Sequence, residues 1–141
     1  MAFCGCRRET DEDRVKQVLQ DIQAAAEKKD VNSMMNRLSK TYSDPRGQNH
    51  DEIRGMLTGY FFRYPKISVY VNGLEISVDQ TSARALFQAV LISGEKTGSV
   101  SDLIPQSLGI WDFDVSLIKE SGRWQVVRAQ WQESEVMKPE E

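Results

Sequence analysis

Few side chains in this sequence could do chemistry. One histidine, His50, and two cysteines, Cys4 and Cys6, stand among 141 residues. A serine or cysteine nucleophile needs a neighbouring base, and no serine or cysteine here stands in a recognised motif with His50. His50 follows Asn49 where a helix should open, which makes it a solvated helix-start residue rather than a general base. A Cys-x-Cys pair with one histidine cannot complete a four-ligand zinc site within one chain. No metal and no cofactor is expected, and no glycine-rich loop offers a phosphate cradle. Carboxylates remain. Asp44 lies in Thr41-Tyr42-Ser43-Asp44-Pro45-Arg46-Gly47, where Pro45 pushes it out of helical geometry and its side chain can bond the backbone two residues on. Asp112 and Asp114 alternate with aromatic residues in a strand-like run.

The elements that would position these groups follow from periodicity. Thr10 before Asp11-Glu12-Asp13 reads as a hydroxyl cap with acidic residues in the first turn. Val15, Val18, Leu19, Ile22 and Ala26 then recur at helical spacing. Asp30 caps a short second helix with the stripe Val31, Met34, Met35 and Leu38, where the methionines are gap-filling core. Asn49 and Glu52 open a third helix, whose buried stripe is Ile53, Met56, Leu57, Tyr60, Phe61 and Tyr64. Gly55 and Gly59 are expected to let that helix approach a sheet, and Pro65 ends it. Four strand-like runs follow. Ile67, Val69 and Val71 share one parity and Leu74, Ile76 and Val78 the other, so Asn72-Gly73 marks a bulge in one long bent strand. The run from Ala83 to Ile92 is apolar on both faces and belongs in the middle of the sheet. Gly94 to Gly109 is a polar connection, and Met137 to Glu141 a loose tail.

The closing hairpin, Ile110 to Glu133, carries most of the aromatic pattern. Glu120-Ser121-Gly122 reads as a three-residue connection with its glycine left-handed. Lys119 then opposes Arg123, Trp111 faces Trp131, Phe113 faces Ala129 and Val115 faces Val127. Asp114 meets Arg128 on the other face, where Trp124 also lies.

At 141 residues the chain is one domain, long enough for a single core and too short for two ordinary ones. With 40% apolar and 28% charged residues the chain is globular in composition. Its net charge of −3 gives no basic surplus for a nucleic-acid partner. Met1-Ala2-Phe3-Cys4-Gly5-Cys6 before Arg7-Arg8-Glu9-Thr10-Asp11 looks like the end of a bacterial lipoprotein signal followed by a polar tether. The charged start and most of the apolar stretch of such a signal are absent from it. Residues 1–10 are thus expected to be signal remnant and tether, 11–133 the domain and 134–141 a tail. Lipidation at Cys6, an upstream start and a place at the periplasmic face of the cell envelope follow as expectations; a cytoplasmic protein is the alternative.

Three helices followed by a strongly bent antiparallel sheet is an α+β cone with the helices packed in the concave face. In that order, with Tyr42-Ser43-Asp44-Pro45 before the third helix and Gly122-Arg123-Trp124 and Val127-Arg128-Ala129-Gln130-Trp131 at the end, the chain resembles the nuclear transport factor 2-like superfamily. Ketosteroid isomerases and polyketide cyclases are more distant members of it. The nearest likeness is to uncharacterised bacterial lipoproteins of the superfamily, which carry a similar acidic tether. The resemblance to ketosteroid isomerases implies a general base at Asp44. Abstracting a proton next to a carbonyl also needs donors to the enolate oxygen, and the family's donor positions fall near Ile22 and near Trp111 or Phe113, which cannot serve.

The function expected is therefore a non-enzymatic small-ligand-binding or interaction domain. Its apolar ligand would sit in a cone lined by Tyr42, Tyr60, Phe61, Trp111, Phe113 and Trp131. The alternative is an isomerase or lyase with Asp44 as base and Tyr42 or Tyr60 as donor. A homodimer through the open sheet face, using Asp112, Asp114, Arg128 and Trp124, is a further expectation.

Overall fold

A computed structural model describes residues 9–93 and 107–134. They form α1 (Asp11–Glu27), α2 (Val31–Met35), α3 (His50–Arg63), β1 (Ile67–Asp79), β2 (Ser82–Ser93), β3 (Ser107–Glu120) and β4 (Arg123–Glu133). The strands make one antiparallel sheet in the order β1-β2-β3-β4, and the helices fill its concave face in an α+β cone. Cys4, Cys6, residues 94–106 of the Gly94–Gly109 connection and the tail from Met137 lie outside the described residues. β3 begins at Ser107, three residues earlier than the hydrophobic alternation indicates.

Each helix starts as its sequence dictates. Thr10 and Asp13 close a reciprocal capping box on α1, and Asn49 and Glu52 do the same on α3. Asp30 caps α2 through the Ser33 amide. α1 is the central strut. Val15 and Val18 are buried in one cluster with Ile53, Leu117, Trp124 and Val126, and Ala25 in a second with Met34, Phe61, Ile67 and Val69.

The bends come from bulges. In β1 the register shifts between Asn72 and Glu75, so Ile67, Val69 and Val71 before it and Leu74, Ile76 and Val78 after it all face the helices. Gly73 supplies a left-handed residue there, at φ 64°. β2 is central and buried on both faces: Ala83, Ala85 and Ala89 point inward, while Gln88, Val90 and Ile92 on the other face are also fully buried. Both edges are occupied in part. Gln23 and Glu27 of α1 take the free carbonyl and amide of Val69 at 2.8 Å each. The segment after α2 pairs with β4 through Ser39 N to Val126 O and Val126 N to Arg37 O, both 2.8 Å. At those positions the backbone groups are not open to another strand.

The closing hairpin differs from the register expected above. Its turn is the two residues Ser121 and Gly122, both left-handed at φ 51° and 79°, which matches the twist of the flanking strands. Further along, a bulge on β4 leaves Val127 without an opposite on β3, so the far pairs lie two residues on from those expected. Phe113 therefore opposes Trp131, Val115 opposes Ala129, Leu117 opposes Val126 and Trp111 opposes Glu133. Before the bulge the parity is the reverse of the one expected, so Trp124 faces inward and is only 2% exposed. Its indole Nε1 donates to Asp11 Oδ1 at 3.1 Å, and Lys119 Nζ reaches the same oxygen at 3.2 Å. The hairpin is thereby pinned to the first turn of α1.

The glycines of α3 do not do what their spacing suggests. A Cβ built at Gly55 or Gly59 would meet nothing within 4 Å. That face is open, and Phe62 beside it is 90% exposed.

Candidate functional site

Asp44 is bound on all sides by its own turn. Its Oδ2 accepts from the Tyr42 hydroxyl at 2.9 Å, and its Oδ1 accepts from the amides of Arg46 and Gln48, each at 3.0 Å. Gly47 N closes the loop onto the Asp44 carbonyl at 3.0 Å, and Gly47 is left-handed at φ 79°. The residue is 7% exposed and Tyr42 3%. Burial, and then the Asp44 carboxylate, hold the Tyr42 phenol well above its ordinary pKa, so Tyr42 stays protonated and donates. A general base must offer a lone pair to a substrate proton; three donors and close burial dedicate this carboxylate to fixing the turn between α2 and α3.

His50 and Asp114 also have neighbours of opposite or complementary polarity. His50 does start α3, but its side chain is only 18% exposed rather than solvated, and Nδ1 lies 3.4 Å from Asp51 Oδ1. Asp114 pairs with Arg84 of β2 instead of Arg128, through two contacts of 2.9 and 2.6 Å. Hydrogen bonding to Arg84 holds the Asp114 carboxyl below its usual range, with Arg128 a lesser influence. With Trp124 turned inward, the sheet face expected to dimerise retains Asp112, Asp114 and Arg128 but not its tryptophan.

The six aromatic residues expected to line one pocket are divided by the fold. Tyr42 is within the first core cluster, with Phe113 and Trp131 packed against it; Phe61 belongs to the second, with Tyr60 against it. Tyr60 contacts Tyr64 at 4.9 Å between ring centroids, and burial raises its pKa. It is therefore grouped with the second cluster and not with Tyr42 and Asp44. Trp111 folds onto the backbone of Gly109, where a Cβ would sit 2.4 Å from the indole nitrogen. Gly109, at φ 142°, is a position that only glycine fills without strain.

Phe113 and Trp131 are brought together, and two residues the sequence reading missed join them. The rings of Phe87 and Phe113 stack at 5.2 Å with an interplanar angle of 5°. Phe113 and Trp131 continue the stack at 6.0 Å and 28°. The Arg46 guanidinium lies over Trp131, 4.7 Å from the ring, and its Nη2 donates to the Trp131 carbonyl at 3.2 Å. Phe87, Phe113 and Trp131 are each half-buried, so a three-ring ledge capped by a cation runs across β2, β3 and β4 on the concave face. Such offset stacks gain beyond their buried area, and the face of a ring attracts a cation. Phe87 lies in an apolar run with no pattern of its own; only the β2–β3 pairing places it opposite Phe113. Arg46 comes from the turn that Asp44 organises. Among the described residues no three potential metal-ligating side chains converge.

No family model matches the chain, and no curated protein matches it. Solved structures do. An NTF2-like protein of unknown function from Pseudomonas putida KT2440 superposes with a TM-score of 0.72 at 13% identity, covering 92% of this chain and 96% of that one. Bd1075 of Bdellovibrio bacteriovorus gives 0.70 at 11% identity; 85% of this chain is covered, but the match spans only 40% of the Bdellovibrio chain. A protein from Novosphingobium aromaticivorans DSM 12444, provisionally named a scytalone dehydratase, gives 0.69 at 14%, covering 86% and 82%. The fold is thus the nuclear transport factor 2-like, cystatin-like cone.

Proposed function

We propose that this chain is a non-enzymatic ligand-binding or interaction domain. Its ligand, a small apolar planar group, rests on the ledge of Phe87, Phe113 and Trp131. The observation that carries the reading is that stack, half-buried and closed at one end by Arg46. A flat apolar ligand extends an existing stack at little entropic cost, because the rings are already held by the sheet. The isomerase or lyase reading is disfavoured by the three donors that occupy the Asp44 carboxylate. The provisional dehydratase name of one structural neighbour does not alter this, since one cone hosts many functions. The address we propose is the periplasmic face of the envelope, with Cys6 lipidated. Cys6 precedes the first helix cap, and the described domain contains no cysteine.

A ligand-dependent melting screen tests the reading. A compound at a hundred times its dissociation constant stabilises the folded state by about 2.7 kcal/mol. Hits should stabilise the wild type and lose that effect in Trp131→Ala. A hit that stabilises both equally places its site elsewhere and overturns the ledge. A turnover found for any hit and abolished in Asp44→Asn would restore the enzyme reading.

A further inference from the structure

A second depression, of about 420 Å³, opens between the C-terminal half of α1, α2 and the β3–β4 turn. It shares no residue with the aromatic ledge. Its charged lining is Asp21, Lys28, Asp30, Arg37 and Arg123, three cations against two carboxylates. The carboxylates are already engaged. Asp21 is paired with Arg37 and accepts from Gln17 Nε2 at 2.9 Å. Asp30 spends both oxygens on Ser33, accepting from its amide at 3.2 Å and its hydroxyl at 2.7 Å, and these contacts hold its carboxyl below the ordinary range. Lys28 acts on Asp30 only weakly and through space. The carbonyls at the end of α1 are used as well: Ala24, Ala25 and Ala26 accept from the amides of Lys28, Asp30 and Lys29. Every acceptor named here is satisfied within the protein, whereas the side-chain donors of Lys28 and Arg123 have no hydrogen-bond partner among the described residues.

We infer that this depression is a binding site for a small anion bearing a carboxylate or phosphate group, held between Lys28 and Arg123. With Asp21 paired to Arg37 and Asp30 the other carboxylate, the lining keeps a surplus of one positive charge, and an anion between Lys28 and Arg123 would balance it and accept from their side-chain donors. The guanidinium of Arg123 offers the paired donors that suit either oxyanion, and Lys28 adds a compact charge. The hollow falls within the range of small-ligand sites.

The test is an amide-resolved NMR titration of the whole chain at constant ionic strength. One arm uses inorganic phosphate, the other succinate, and a chloride series serves as control. Saturable shifts confined to the end of α1, to α2 and to Ser121–Arg123 are expected in at least one oxyanion arm, and the arm that responds identifies the oxyanion. The variant carrying both Lys28→Gln and Arg123→Gln, at exposed positions that leave the fold untouched, should bind about tenfold more weakly or worse. Trp131→Ala should bind as the wild type does. The inference is overturned if neither arm saturates, if chloride produces the same shifts, or if the double variant binds unchanged.

Discussion

Replacing Trp124 by alanine should be the most damaging single change in the hairpin, and more damaging than Trp131→Ala. Trp124 is 2% exposed, so nearly the whole indole is out of water. A side chain of that size hides about 200 Å², which at ~25 cal/mol per Å² is about 5 kcal/mol, the upper end of what truncating a large buried aromatic costs. Trp131 is only half-buried, and Arg46 over its ring adds no more than about 1 kcal/mol. Its truncation should cost about 2 kcal/mol by the same area argument. Urea unfolding followed by far-UV circular dichroism measures both without depending on tryptophan emission. With total stability on the order of 5–15 kcal/mol, the midpoints of the two variants should separate clearly at unchanged slope. Equal losses, or a larger loss for Trp131→Ala, would mean that the bulge at Val127 and the parity it sets are wrong. Trp124→Phe isolates the link to α1. The indole hydrogen bond, followed by that of Lys119, holds the Asp11 carboxyl below its usual range. A depressed carboxyl pKa contributes stability that is fully present above the unfolded value near 3.8 and is lost as pH falls through the folded one. Trp124→Phe should therefore flatten the acid side of the stability curve below about pH 4. An unchanged curve would separate Trp124 from Asp11.

Three further outcomes follow from single residues. Asp44→Ala leaves the Tyr42 hydroxyl and two backbone amides without their acceptor and should cost about 3 kcal/mol in urea melts; Asp44→Asn, which keeps one acceptor, should cost visibly less, and equal losses would refute the turn-fixing role. Gly55→Ala and Gly59→Ala should each raise stability by about 0.5–1 kcal/mol, because both sit in a helix with nothing within 4 Å of a new Cβ; a lower melting temperature would show that this face is packed. Gly109→Ala should cost at least about 1–3 kcal/mol, since it meets both a left-handed φ and the Trp111 ring, and a neutral effect would place that ring elsewhere.

Much of this architecture is written locally in the chain. The caps at Thr10, Asp30 and Asn49 are formed between residues three apart, so short-range chemistry is enough to read them. The opposite parities on either side of Asn72-Gly73 announce the β1 bulge, because a period of two cannot switch faces without an extra residue. Asp44 as a turn residue was legible for the same reason: its backbone acceptor contacts lie two and four residues away. What tertiary structure alone decided was every fact that depends on an element distant in sequence. Glu120-Ser121-Gly122 accommodates a two- or a three-residue turn, and the two-residue turn followed by a bulge on β4 moves the far pairs two residues along from those of the three-residue turn; packing Trp124 against α1 and Asp11 goes with the bulge at Val127. The aromatic ledge needs β2 to lie beside β3 in a register that no short turn fixes, so Phe87 could not be placed from its neighbours. Arg84 meets Asp114 by the same pairing. The charged hollow joins α1, α2 and a turn nearly a hundred residues further on, and whether Lys28 and Arg123 share it is settled only when the sheet closes over the first helix.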